Sequence, residues 1–297
     1  MEGPMASDFL KNFSDAAAAL VEEAGARVVA VHGRDWGSTS GIILKAGVAV
    51  TAEEALERDE EIEITLPDGS KVKATLAGRD PSTDVAVLRY EATDAAPGEF
   101  AAATPKAGNL VVGVGRNASG PIAALGIIAF AGEAWRSSQG GEIDAMIRAD
   151  IALARPGEGG VLVDAEGRLV GMAVFGPRRR VLAIPLSTIN RAVERILAHG
   201  SVSRGYIGVS VQSVNVEGGE AGRGAMVVGL DPDGPAKQAG LLLGDIIVTW
   251  NEEAVAGTRS IINRLGPTTA GAKVDLGIVR AGTPAKLSLT VAERPSA

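Results

Sequence analysis

The residues best spaced for chemistry in this chain lie in Arg148-Ala149-Asp150-Ile151-Ala152-Leu153-Ala154-Arg155-Pro156-Gly157-Glu158-Gly159-Gly160-Val161-Leu162-Val163. A Pro-Gly-x-Gly-Gly turn sits between a polar approach and a short apolar strand. Glycine reaches φ > 0, so successive backbone N–H groups can point into one concavity. Donors that converge in this way stabilise a developing oxyanion. A nucleophile belongs in the middle of such a loop, and the residue there is Glu158, flanked by Gly157 and Gly159. A carboxylate does not replace a hydroxyl activated by an imidazole. The stretch therefore reads as a hydrolase site whose chemistry has been removed.

The rest of the chain has to position that loop. Its 297 residues are enough for two domains with separate cores. The 39 glycines and 3% aromatic content suit many short strands joined by turns. A net charge of −7 argues against a general nucleic-acid binder. With no cysteine there is no disulfide, thiolate zinc site or cysteine nucleophile, and both kinds of redox compartment stay open. Residues Met1 to Ala6 carry neither a basic stretch nor a following apolar run, and no segment is apolar for long enough to span a bilayer. The expectation is a cytoplasmic protein, or a periplasmic one if a leader has been trimmed. No cofactor is expected.

Along the chain, Ser7 reads as an N-cap. Phe9, Leu10, Phe13, Ala17, Leu20, Val21 and Ala24 form a helical stripe that packs on its own domain and ends at Gly25. Short strands follow at 27–32, 41–44, 48–51, 62–66, 71–76 and 85–90. Loops are expected at 91–104 and 133–142. A second set of strands covers 110–114, 123–131, 161–163, 169–174 and 181–184. This density of strands predicts barrels or a sandwich rather than alternating β and α units. A helix at 185–198 and a linker at 200–203 lead to a smaller α+β unit. Its strands are expected at 207–211, 225–230, 245–250, 273–280 and 285–291, and its helices at 235–240 and 258–265.

Three groups of residues carry a family resemblance. Thr65-Leu66-Pro67-Asp68-Gly69 is followed by Asp80-Pro81-Ser82-Thr83-Asp84-Val85-Ala86-Val87-Leu88. Val181-Leu182-Ala183-Ile184-Pro185 forms a last barrel strand. His199-Gly200-Ser201-Val202-Ser203-Arg204-Gly205-Tyr206-Ile207-Gly208-Val209 joins the two units. In these the chain resembles the HtrA family, with its trypsin-like protease domain and C-terminal PDZ domain, from about Arg27 to Glu293. The resemblance implies a mainly β protein: a trypsin-like double six-stranded β-barrel followed by a small α+β PDZ domain. The implied boundaries are an N-terminal helix at 1–25, a protease-like domain at 26–190, helix end and linker at 191–203, and a PDZ domain at 204–293.

Measured against that family, two of three catalytic positions are substituted. Asp84 falls on the aspartate that orients the histidine. Glu54, in Thr51-Ala52-Glu53-Glu54-Ala55-Leu56, falls where the general base belongs, and Glu158 falls on the serine. Glu54 could accept a proton, but no hydroxyl stands at the loop's centre. The chain's two histidines, His32 and His199, read as satisfied strand and surface residues. Ser38, Ser40, Ser137 and Ser138 read as solvated loop residues. Clustered carboxylates at Glu54, Asp84 and Glu158 would suit a hard cation, but drift of a dead site, with the side chains splayed into solvent, is the favoured account, and no metal is expected. Gly113-Val114-Gly115-Arg116-Asn117-Ala118 matches part of a dinucleotide fingerprint but lacks the following helix, and it reads as a barrel turn. Arg178-Arg179-Arg180 reads as a solvated hairpin tip.

In the second unit, Gly205-Tyr206-Ile207-Gly208 matches the family's carboxylate loop. The resemblance implies that an extended C-terminal peptide adds to the strand carrying Val209 and Val211, with Ile261, Ile262 and Leu265 walling the groove. Asp245 is expected to be structural. The function expected is an inactive protease homologue that binds C-terminal or unfolded peptides and proteins. The alternative is an active HtrA-type serine endopeptidase in protein quality control. The resemblance implies a homotrimer, as is common in the family; a hetero-oligomer that regulates an active relative is a third expectation.

Overall fold

A computed structural model describes residues 4–35, 37–92, 101–199, 205–216, 222–266 and 269–293. The chain divides into two compact units, residues 1–135 with 142–202, and residues 203–297 with 136–141. The expected linker at 200–203, the side chain of His199 and most of the expected loop at 91–104 lie outside the described residues.

The first unit opens with helix α1 (Pro4–Gly25). It begins three residues ahead of the expected Ser7 cap, since proline is tolerated in a first helical turn, where its missing N–H would be unpaired anyway. Only the C-terminal half of its stripe packs on the domain, through Leu20, Val21 and Ala24. Phe9 and Leu10 are 68% and 63% exposed, so the expectation that the whole stripe is buried fails for the first turns.

Six strands close the first barrel: β1 (Val28–His32), β2 (Thr39–Lys45), β3 (Val48–Thr51), β4 (Ile62–Thr65), β5 (Lys71–Asp80) and β6 (Val85–Tyr90), in the order β1-β2-β3-β6-β5-β4. Strand β1 pairs with both β2 and β4, which completes the closure. Continuous burial along β3 and most of β1 explains their unbroken apolar sequence, because each packs on both faces.

The second barrel has strands β7 (Leu110–Asn117) and β8 (Gly120–Gly132), then a ribbon of β9 (Trp135–Arg136) and β10 (Glu142–Ile143) within the expected loop. Strands β11 (Met146–Asp150), β12 (Val161–Val163), β13 (Leu169–Phe175) and β14 (Val181–Ile184) complete it in the order β11-β14-β13-β12-β7-β8. Helix α2 (Leu186–His199) buries Ile189, Ala192, Val193 and Ile196 on one face. Each large aliphatic side chain so buried contributes about 1.5–3 kcal/mol. The fingerprint-like Gly113–Ala118 is strand and turn, as expected. Its Arg116 is buried, and the guanidinium donates to the carbonyls of Val28 (2.6 Å) and Gly25 (3.0 Å), tying the end of α1 to the barrel.

The second unit contains β15 (Gly205–Tyr206), β16 (Val209–Asn215), β17 (Arg223–Leu230), α3 (Pro235–Gln238), β18 (Ile246–Trp250), β19 (Glu253–Ala254), α4 (Thr258–Arg264), β20 (Lys273–Arg280), β21 (Thr283–Thr290) and β22 (Ala292–Glu293). Its main sheet runs β16-β17-β18-β20-β21, which leaves β16 at an edge. Asp245, 1% exposed, accepts from Arg280 (2.6 Å) and from the Leu242 N–H (2.8 Å), a structural role as expected. The Arg280 hydrogen bond holds its carboxyl below the usual range. No helix among the described residues is long and apolar enough to cross a membrane.

Candidate functional site

Asp84 is positioned by the turn before β6. The buried Asp80 accepts from the Ser82 N–H (3.0 Å) and the Thr83 hydroxyl (2.7 Å), which folds the chain back on itself. Asp84 then takes a left-handed conformation, φ 58°. Its Oδ1 accepts the Glu54 N–H at 2.9 Å, and its carbonyl accepts the Glu53 N–H at 3.3 Å. The turn after β3 is thereby latched to the turn before β6. Burial pushes the Asp84 carboxyl up to about 7, assisted by the charges of Glu54, Glu158 and Glu53 and opposed by the Glu54 N–H.

Glu54, expected at the general-base position, is exposed: its backbone N–H joins the cluster while its side chain faces solvent. Its neighbour Glu53 pairs with Arg79 at 3.2 Å.

Glu158 follows a 3₁₀ turn (Arg155–Gly157) and is 7% exposed. Its carbonyl accepts from the Ser40 N–H (2.8 Å) and the Thr39 hydroxyl (2.6 Å). Its carboxylate lies 3.9 Å from Arg34, and both side chains are at most 10% exposed. Arg34 also pairs with Glu57 at 3.1 Å. Burial raises the Glu158 pKa; the Phe175 N–H, Arg34 and Arg155 work against that rise. Arg34 and Glu158 thus form an ion pair between two largely buried side chains. Beside it a cavity of about 290 Å³ is lined by Arg34, Gly37, Ser38, Glu57, Arg155 and Pro156.

The expected concavity of converging N–H groups is not formed. Gly157 donates to Ala154 O (2.8 Å), Glu158 to Arg155 O (3.2 Å), Gly159 to Ala173 O (2.8 Å) and Gly160 to Gly157 O (3.0 Å). Every donor of the loop is committed to a carbonyl. The glycines are required instead by close packing. A Cβ on Gly159 would stand 2.2 Å from Ser40 O, at φ +82°, and one on Gly160 would stand 2.4 Å from Val114 O. In the trypsin fold the oxyanion donors are the N–H groups of the nucleophile and of the residue two before it. Counted from Glu158 as the expected nucleophile position, the residue two before it is Pro156, which has no N–H to give.

Ser40 also departs from expectation. It is fully buried on β2, donating to Pro156 O (2.6 Å) and accepting from the Arg116 N–H (2.8 Å), so it holds the loop rather than facing solvent. His32 lies 2.8 Å from the Thr65 hydroxyl across β1 and β4, and burial lowers its pKa. Thr65 is only 3% exposed, so this couple is a cross-strand contact and not a nucleophile open to substrate. Among the described residues no group of three His, Asp or Glu side chains is arranged to hold a metal.

In the second unit, Ile207 and Gly208 follow β15. Gly208 has φ +74°, and a Cβ there would stand 3.0 Å from Gly234 Cα. The Ile207 and Gly208 carbonyls accept from Ala236 and Asp231, both at 2.9 Å, and the Tyr206 hydroxyl donates to Asp231 at 2.7 Å. Among the described residues the Ile207 and Gly208 N–H groups have no acceptor, although Ile207 is 1% exposed. Buried donors left free in this way can receive a carboxylate. Val209 and Val211 lie half-buried on the edge strand β16, with Leu265 beside α4 packed on the same core. Ile262 is half-buried, whereas Ile261 is 2% exposed and belongs to the core. Sequence reasoning missed a clasp between the start of α4 and β16. Thr258 donates its N–H to the Ser213 hydroxyl (3.0 Å) and its own hydroxyl to Val211 O (3.2 Å).

Comparison with known proteins agrees with both halves. A trypsin-like peptidase domain model matches residues 39–172, and a PDZ domain model matches residues 205–291. A probable periplasmic serine endoprotease DegP-like of Brucella suis is 30% identical over 281 residues, covering 89% of this chain and 54% of the relative. Its namesake in Pseudomonas fulva is 31% identical over 268 residues, covering 86% and 55%. The chain thus spans about half the length of the curated relatives it matches. Among solved structures, the HtrA-type protease AlgW with decapeptide is 26% identical with a TM-score of 0.72, covering 95% of this chain and 99% of that one. The serine endoprotease from Yersinia pestis is 25% identical with a TM-score of 0.72, covering 94% and 98%.

These relatives overturn the expectation of a cytoplasmic protein, because the curated ones are named periplasmic. A cysteine-free composition fits either compartment, so composition carried no signal to decide it. The chain is an HtrA/DegP-like homologue of the trypsin-fold serine proteases, built of two six-stranded barrels with a PDZ domain C-terminal to them.

Proposed function

We propose that this chain is a catalytically inactive HtrA-like protein that binds peptides through its PDZ domain and does not cleave them. We assign the protease-like part to residues 26–190 and the peptide-binding part to residues 204–293. The observation that carries the inactive half is the state of the loop at Glu158. Attack needs a hydroxyl there, an imidazole beside it and two N–H donors aimed at the oxyanion. The loop offers a carboxylate paired with Arg34, and Pro156 supplies no donor at the second position. Asp84 keeps the position that would orient a base, but its carboxyl receives the Glu54 backbone.

Support for peptide binding comes from the second unit. The N–H groups of Ile207 and Gly208, without an acceptor among the described residues, suit a terminal carboxylate, and the edge strand β16 suits an added strand. The clasp from Thr258 to Val211 occupies a carbonyl that a longer peptide would use, so the groove reads the last few residues of its ligand. The solved relative AlgW is described with a decapeptide.

Two measurements test the two halves separately. Casein incubated with the full chain should stay intact, and degradation that co-purifies with the chain would overturn the inactive assignment. A library of peptides with free C-termini should yield binders that lose affinity once amidated. Equal binding of acid and amide would remove the carboxylate nest from the account.

A further inference from the structure

The outer face of the second barrel carries a feature that peptide binding in the PDZ domain does not use. Arg148 on β11 stands opposite Phe130 of β8 on one side and Leu182 of β14 on the other. Residues directly opposite share a sheet face. The Arg148 guanidinium lies 6.0 Å from the Phe130 ring centre, and that of Arg179 lies 5.0 Å from the Phe175 ring. Farther along, Leu110 pairs with Ile127 on β7 and β8. Leu110, Leu125, Ile127 and Phe130 are each 43–47% exposed, forming an apolar ridge left open among the described residues of the first unit.

Two adjoining cavities, about 340 and 390 Å³, share Arg148 and Arg180 in their walls, and Trp135, Met146 and Leu182 line the larger. Asp150 is the one acid lining either cavity. Among the described residues, Arg148, Arg178, Arg179 and Arg180 form no ion pair, in a chain of net charge −7. Arg178 and Arg179 also hold left-handed backbone, φ 59° and 57°, a conformation that favours glycine. A run of arginines kept unpaired on strained backbone, beside exposed aromatic and aliphatic groups, has the composition of a recognition surface.

We infer that this face docks an acidic polypeptide segment carrying apolar side chains, whose carboxylates meet Arg148, Arg179 and Arg180 and whose apolar groups cover the ridge. Free phosphate or nucleic acid would leave the Leu125–Phe130 ridge in water. An anionic bilayer would meet the field of the whole acidic chain, whereas a short segment meets mainly the local guanidinium field, because screening confines it to about 10 Å.

The test uses the full chain and a fluorescein-labelled peptide of alternating glutamate and leucine or phenylalanine. Its C-terminus is amidated, so the carboxylate nest of the PDZ domain does not contribute. Fluorescence anisotropy should show saturable binding that weakens as salt is raised. Arg148→Glu with Arg180→Glu should reduce affinity by at least ~10-fold. Arg179→Gln with Arg180→Gln, both on the exposed tip, should reduce it several-fold without touching the fold. Unchanged binding in the tip variant would overturn the proposal. So would equal binding of a lysine-for-glutamate peptide, or binding of anionic vesicles without binding of the peptide.

Discussion

Rebuilding hydrolysis should require three substitutions, and two should fail. Glu54→His with Glu158→Ser restores base and nucleophile beside Asp84. It leaves Pro156 where an oxyanion donor belongs and leaves the turn in which Glu158 donates to Arg155 O at 3.2 Å. Loss of one oxyanion donor costs about 10²–10³ in kcat, or about 3–4 kcal/mol. Adding Pro156→Gly supplies the missing N–H and frees the 3₁₀ turn to open. The triple variant should therefore exceed the double variant by at least about 100-fold on a fluorogenic peptide. Labelling by a fluorophosphonate should follow the same order, with thermal unfolding confirming that both variants fold. If the double variant came within about threefold of the triple, a difference of less than ~1 kcal/mol, the assignment of Pro156 would be refuted. An inert triple variant with native stability would mean that the cleft differs beyond these positions.

Other outcomes follow from the same geometry. Asp84 binds its proton more tightly folded than unfolded, so its contribution to stability is fully present below pH 3.8 and is lost as pH rises to about 7. Asp84→Asn keeps an acceptor for the Glu54 N–H and removes the buried charge. It should flatten stability over that window and raise it at pH 8 by up to about 4 kcal/mol, read from urea unfolding. An unchanged pH slope would contradict this. Arg280→Met strands the Asp245 carboxylate at 1% exposure and should destabilise the second unit by about 3–5 kcal/mol in thermal unfolding, while Arg280→Met with Asp245→Leu recovers part of it. Gly208→Val meets Gly234 and Asp231 at a φ of +74° and should weaken binding of a free C-terminal peptide by at least ~10-fold in calorimetry. Wild-type affinity in that variant would exclude the Ile207–Gly208 nest.

Much of the architecture was legible because barrel strands leave a plain signal. The apolar runs at 48–51, 85–90 and 181–184 became β3, β6 and β14 at their expected bounds. Strand β11 was missed: Arg148 and Asp150 project outward, which makes a half-buried strand look like a polar approach. At the site, residue types were legible and hydrogen-bond commitments were not. The glycines around Glu158 suggested a nest, yet their cause is close approach to Ser40 O and Val114 O, contacts made across the fold. Ser40 looked solvated because small polar residues usually are; its burial follows from holding Pro156 O and the Arg116 N–H, which lie far off in sequence. Pro156 could have been read at once, since a missing N–H needs no structure to be seen. Compartment was the opposite case, with no residue pattern that decides it.

Intact-mass analysis of the full wild-type chain after exposure to a serine-directed fluorophosphonate asks whether any hydroxyl in it is activated. The mass should be unshifted at every pH at which the chain is folded, because residue 158 is a glutamate and carries no hydroxyl to activate. A stoichiometric adduct on any side chain, with matching cleavage of an unfolded protein, would contradict it.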